Sequence, residues 1–130
     1  MALSSQEIRE IFFQFFEGKG HLRIPAASLI PADDPTLLFV NSGMAPLKKF
    51  FVGEAAPPRP QLCSIQPCVR TRCMEAIGNR YLLTFFEMMG SWSINNYFKE
   101  TAIELAYELL VERFRLPKEK LYATVYRGNA

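Results

Sequence analysis

The period of the apolar positions changes several times along this chain, and each change marks an element. Ile8, Ile11, Phe12, Phe15 and Phe16 recur at helical spacing, which predicts a helix with one aromatic stripe turned to the core. Ser4 and Glu7 in front of the stripe form a capping-box pattern, and Gly18 and Gly20 stop the helix. Leu22 to Pro31 is apolar but interrupted by Pro25 and Pro31, so it reads as an extended strand or strap. Asp33-Asp34-Pro35 predicts a turn, Thr36 to Val40 a buried strand, and Asn41-Ser42-Gly43 a break. Met44 to Phe51 predicts a short helix with a basic face at Lys48 and Lys49, and the prolines between Glu54 and Pro60 predict a loop.

From Leu62 to Arg72 the pattern is extended, although Pro67 argues against a fully paired central position. Alternation puts Ser64, Gln66, Cys68, Arg70 and Arg72 on a polar face, and Cys63, Ile65 and Val69 on a core face. Thr71 to Arg80 is expected to be a loop with a tight turn at Gly78-Asn79, and Tyr81 to Met89 the return strand of an antiparallel hairpin. Leu83, Phe85 and Glu87 share one face of that strand; Leu82, Thr84, Phe86 and Met88 share the other. Gly90 to Asn96 reads as a break. Phe98 to Phe114 reads as a long amphipathic helix with Ile103, Leu105, Ala106, Leu109, Leu110 and Phe114 inward, ended by Pro117. Leu121 to Tyr126 alternates like a final strand.

Composition narrows the class. A chain of 130 residues that is 49% hydrophobic, with 11 phenylalanines, fits one domain with a real core. The formal net charge of +2 is not the footprint of a domain that lives on nucleic acid. Cys63, Cys68 and Cys73 lack a C-x-x-C spacing, and the single histidine, His21, reads as a loop residue beside Gly20. Free or structural thiols are therefore expected, with neither a disulfide framework nor a metal site. No run approaches the roughly 20 apolar residues of a membrane span, and no signal peptide is visible, so a cytoplasmic location is expected.

The candidate chemistry lies on the hairpin. Arginine forks hold phosphate oxygens bidentately and stay charged at any working pH. Arg70 and Arg72 stand at the end of a strand beside a long polar loop. Phe85 or Phe86 on the facing strand offers a ring on which a purine can stack, and Glu87 a carboxylate that could accept from a base or orient an arginine. Neither a P-loop nor a G-x-G-x-x-G fingerprint is present, so a nucleotide would have to be bound on an antiparallel sheet.

These segments resemble the alanyl-tRNA synthetases, a class II aminoacyl-tRNA synthetase family. Residues 33–44, D-D-P-T-L-L-F-V-N-S-G-M, look like the segment those enzymes carry near the start of the catalytic domain. Q-P-C-V-R at 66–70 and T-F-F-E-M-M-G-S-W-S at 84–93 resemble the two strands of motif 2. Asn96-Tyr97-Phe98-Lys99 and Leu121 to Tyr126 match in order and spacing. The resemblance implies an α+β fold, a class II antiparallel sheet flanked by helices, with motifs 1 and 2 present and motif 3 absent. Residues 1–130 would be the N-terminal portion of an aminoacylation catalytic domain. It implies activation of alanine by ATP with Mg2+, then transfer to tRNA(Ala), which would be held mainly by residues outside this chain.

By the same resemblance Arg70 is the catalytic motif 2 arginine on the α-phosphate, Phe85 faces adenine, and Asn41 and Met44 line the alanine side. Leu82 and Leu83 stand where the family has an ATP-holding histidine, so ATP binding is expected to weaken unless Arg72 or Arg80, both expected in the ATP-binding set, substitutes for that donor. Glu87 completes the ATP-binding set. A sheet lacking motif 3 is expected to self-associate and to be incomplete for catalysis alone. The second expectation is a catalytically degenerate relative acting as a binding module through surfaces such as Lys48 and Lys49.

Overall fold

The computed structural model describes residues 3–31 and 35–128, except the side chains of Arg72, Cys73 and Ala76. It divides into two units, Met1–Tyr97 and Phe98–Ala130.

In the first unit, helix α1 (Ser5–Gly18) begins where the sequence predicts. Ser4 Oγ accepts the Glu7 amide at 3.2 Å, and Glu7 Oε2 accepts the Ser4 amide at 2.7 Å. Those contacts hold the Glu7 carboxyl below its ordinary range, the backbone donor contributing most. Phe12, Phe15 and Phe16 are buried, as the stripe requires. The chain leaves the helix through Gly20, whose φ of 89° is cheap only for glycine.

Three strands follow: β1 (Leu22–Arg23), β2 (Gln61–Val69) and β3 (Phe85–Ser93), in the order β1-β2-β3. β2 and β3 pair antiparallel from Gln61 opposite Ser93 to Val69 opposite Phe85. β1 runs parallel to β2, with Leu22 beside Leu62 and Arg23 beside Cys63. The sheet is therefore mixed rather than antiparallel throughout. The chain enters β1 from α1 and does not reach β2 for almost 40 residues, so no tight turn forces the two strands to oppose. Between them lie a 3-10 turn (Ala45–Leu47) and helix α2 (Lys48–Phe51), where a basic-faced helix is expected.

Directly opposed residues share a face, so one face of the hairpin carries Leu62, Ser64, Gln66 and Cys68 with Phe86, Met88, Gly90 and Trp92. The other carries Cys63, Ile65, Pro67 and Val69 with Phe85, Glu87, Met89 and Ser91. Helix α1 lies on the second face. Its Arg9 reaches Glu87 at 2.8 Å, and Arg23 of β1 sits 3.8 Å over Phe13. On the first face Leu47, Leu62 and Ile94 form a core with Leu22, Ile24, Phe50 and Trp92.

This arrangement corrects the expected division into a polar and a core face, because both faces are covered. Ser64 and Gln66 are buried with their partners. Gln66 exchanges two hydrogen bonds with the backbone of Ala27, and Ser64 Oγ accepts from the Trp92 indole. Pro67 fits for a local reason. Arg70 donates its amide to Thr84 on the β3 side, while Val69 donates to Val40 on the opposite edge. By alternation Pro67 points its missing donor to that opposite edge, beyond the end of the two-residue β1.

Other boundaries move. Thr36 to Val40 is not a strand; only Val40 is buried, and its backbone is held by Leu29 and Val69. The return strand starts at Phe85 rather than Tyr81, and it runs through Gly90 to Ser93 instead of breaking there. Gly90 is needed inside the strand because the Trp92 ring lies where its side chain would project. The loop 71–80 contains a 3-10 turn (Thr71–Ala76) followed by Gly78 at φ 93°, so its tight turn is where the sequence puts it. The turn expected at 33–35 falls partly outside the described residues.

His21 lies in the connection between α1 and β1, as expected, but it is not an exposed loop residue. It is buried between Phe16 and Tyr97, with ring contacts of 4.9 and 5.7 Å, and its Nε2 hydrogen bonds the Tyr97 hydroxyl at 2.7 Å. Cys63 and Cys68 are buried free thiols, and burial pushes the Cys63 thiol up to about 11.

The second unit holds helix α3 (Lys99–Tyr107), continued by a π-helical stretch (Glu108–Arg113). Leu105 and Leu109 are buried, while Ile103, expected inward, is 68% exposed. Arg115, at φ 55°, ends the helical run, and Pro117 follows. Leu121 to Tyr126 is not a strand. Among the described residues no strand pairs with it, and alternation without a partner leaves Tyr122, Val125 and Tyr126 exposed.

Candidate functional site at the end of the hairpin

β2 ends at Val69, so Arg70 is the first residue past the ladder. Its backbone is still held, because its amide donates to the Thr84 carbonyl at 2.9 Å. The side chain turns onto the face of Cys68 and Phe86. The guanidinium carbon lies 5.0 Å from the Phe86 ring centroid, and Nε donates to the Asn41 carbonyl at 3.0 Å. The ring and the carbonyl together fix the plane of the guanidinium. Its two terminal nitrogens have no partner among the described residues, so a charged, exposed fork is left to accept an anion.

Asn41 therefore meets Arg70 through its backbone. Met44, three residues on, is 46% exposed. Arg80 is exposed at the far side of the loop, where Asn79 Oδ1 accepts the Tyr81 amide at 2.8 Å. The side chain of Arg72 lies outside what the structure describes.

Phe85 and Glu87 are not brought to Arg70. Their register opposite Val69 and Pro67 puts them on the α1 face, and Arg70 is on the other. Phe85 is 61% exposed there. Glu87 does orient an arginine, but it is Arg9, and the ion pair raises the Arg9 pKa chiefly through the hydrogen bond. The aromatic that accompanies Arg70 is Phe86. Strand alternation was the signal that separates the two phenylalanines.

The turn that brings Asn41 to Arg70 is itself anchored. Gly43 donates its amide to the Met88 sulfur at 3.1 Å, and Gly43 is buried against the Trp92 ring. A cavity of about 560 Å³ lies among the residues of the strap and of segment 40–54, lined by Ile30, Val40, Pro46, Lys48 and Lys49 among others. None of the residues expected on the ATP or alanine side lines it, whereas Lys48 and Lys49, expected on a binding-module surface, do. Among the described residues no group of three or more His, Cys, Asp or Glu side chains could hold a metal ion, and no helix is long and apolar enough to cross a membrane.

An arginine held on an aromatic ring at the end of an antiparallel hairpin, with its fork open, suits recognition of a phosphate oxygen. Residues 7–130 match the family tRNA synthetases class II (A), and the chain belongs to it. It is 50% identical over 130 residues to the alanine-tRNA ligase of Caldicellulosiruptor saccharolyticus, covering 99% of this chain and 15% of that protein. It is 48% identical over 128 residues to that of Acetivibrio thermocellus, covering 98% of this chain and 14% of that protein. The alanine-tRNA ligase of Flavobacterium psychrophilum is 44% identical over 132 residues, covering 98% of this chain and 15% of its own length. The chain thus spans a small part of each of these relatives.

Proposed function

We propose that this chain supplies the α-phosphate-binding part of an alanyl-tRNA synthetase active site, with Arg70 as its catalytic residue. The observation that carries the reading is the arrangement of Arg70: Nε is committed to the Asn41 carbonyl, Phe86 lies beneath, and the terminal nitrogens have no partner among the described residues. In the proposed reaction a carboxylate oxygen of alanine bonds to the α-phosphorus of ATP. The bond from that phosphorus to the bridging oxygen breaks, and pyrophosphate leaves. Negative charge grows on the nonbridging oxygens, and a guanidinium already fixed in place stabilises it without reorganising. The aminoacyl group then passes to the 3′ end of tRNA(Ala), and the parts of a longer enzyme that bind the tRNA are assigned to none of these residues.

Mg2+ would arrive with the triphosphate, where it neutralises charge. No side chain of this chain is assigned to it. Arg80, exposed beyond the loop, and Arg72 are the proposed additional phosphate donors in place of the histidine that Leu82 and Leu83 do not supply. Asn41 and Met44, flanking the anchored Gly43, are proposed on the amino-acid side. Phe85 presents an exposed ring on the other face, so stacking of adenine on it would require the nucleotide to pass around the start of β3; Glu87 is engaged by Arg9.

Equilibrium dialysis of ATP with Mg2+ against the chain and its Arg70→Ala variant tests the reading. Affinity should fall about tenfold or more, the scale of lost charge-assisted hydrogen bonds to phosphate, with Arg70→Lys intermediate. An unchanged affinity in Arg70→Ala sinks it.

A further inference from the structure

Arg70 is aimed by the segment that carries Asn41, whose backbone carbonyl takes its Nε proton. Val40 is stitched to the edge of β2, where its carbonyl accepts the Val69 amide at 2.9 Å and its own amide donates to Leu29 at 2.8 Å. From that edge the chain crosses to side chains of β3. Gly43 donates to the Met88 sulfur at 3.1 Å. A Cβ on Gly43 would come within 2.9 Å of Cζ2 of Trp92, and 3.6 Å of the Met88 sulfur. The Trp92 ring is in turn fixed by its Nε1, which donates to Ser64 Oγ at 3.3 Å, and it stands edge-on to Phe51 at 6.3 Å. Between the two anchors sits Asn41, whose carbonyl takes the Arg70 Nε proton at 3.0 Å.

We propose that Gly43, seated on Met88 and Trp92, is a positioning residue that sets the Asn41 carbonyl and through it the orientation of the Arg70 fork. Gly43 is required for closeness, because no side chain fits between the segment and the indole. Its backbone carries none of the positive φ that would otherwise explain a glycine. A displaced turn moves the carbonyl, and the guanidinium rotates on the Phe86 ring away from the phosphate. This inference rests on Arg70 being the phosphate ligand.

The test is a cycle of Gly43→Ala, Trp92→Phe and the double variant, with Arg70→Ala alongside. ATP with Mg2+ and adenosine are each measured by dialysis, and denaturant midpoints check that every variant is folded. Gly43→Ala should weaken ATP about tenfold and leave adenosine unaffected, since Arg70 touches only phosphate. Trp92→Phe is smaller at the clashing edge, so the double variant should recover most of the ATP affinity.

Loss of ATP and adenosine binding in parallel would mean a general packing defect and overturn the proposal. So would an unrelieved double variant, or unchanged ATP affinity in Gly43→Ala while Arg70→Ala loses it. That last outcome leaves the reading of Arg70 intact. If Arg70→Ala keeps full affinity, the reading itself fails, and the positioning role falls with it.

Discussion

His21 is the residue whose setting departs most from its neighbours in sequence. Its Nε2 has Tyr97, but Nδ1 has no hydrogen-bond partner, so a second proton would put a charge in a pocket with one polar contact. Burial lowers its pKa below the ordinary 6.5, and the backbone of Phe16 opposes this without forming a hydrogen bond to Nδ1. The unfolded chain then binds the proton more readily than the folded one. Stability from the neutral ring is fully present above about pH 6.5 and is lost as pH falls through that value towards the lower folded pKa. Urea midpoints from about pH 7 to about pH 5 should therefore drop more steeply for the wild type than for His21→Gln; parallel curves would refute the assignment. A lone histidine beside a glycine gave no sign of this, because the phenol that receives it is 76 positions away. Arg70 was easier to read. Its proposed role rests on strand end, charge and loop, all within one stretch, whereas its aromatic partner depended on which strand face Phe86 takes.

At the scale of elements, what was readable is what is local. The capping box of α1 closes over three residues, and the stripe of Phe12, Phe15 and Phe16 repeats within one helix. The residues of Thr36 to Val40 have strand-like composition, yet a strand exists only if another edge takes its hydrogen bonds. Val40 is held by backbone bonds to Leu29 and Val69, but no ladder forms along residues 36–40. Gly90 misled for the opposite reason: a glycine that reads as a break makes room for Trp92 inside a continuous β3. The burial of α1 predicts unequal costs along its aromatic stripe. Phe12→Ala, at a position only 3% exposed, should destabilise the first unit by about 3–5 kcal/mol. Phe13→Ala, beneath Arg23 and only partly covered, should cost clearly less. Urea denaturation of the two variants checks the order, and equal losses would show that α1 is not docked through its Phe12 side.

For the molecule as a whole, family membership was legible because several separated motifs keep their order, while the division into two units was not, since no periodicity encodes it. The first unit ends at Tyr97, and Tyr97 is also where the chain is bound back to its beginning. Residues 21 and 97 share a hydrogen bond of 2.7 Å, and Ser93 Oγ donates to the Tyr97 carbonyl while accepting the Tyr97 amide, at 2.7 and 2.8 Å. The unit is in that sense a ring closed by side chains, open only in its covalent connectivity. Shortening the chain therefore has a threshold. A protein ended just after Tyr97 should keep a cooperative urea transition and slow deuterium exchange at the His21 ring. One ended after Ser93, four residues earlier, should lose the slow exchange and unfold at lower urea. Equal behaviour of the two would mean that the ring closes without its clasp.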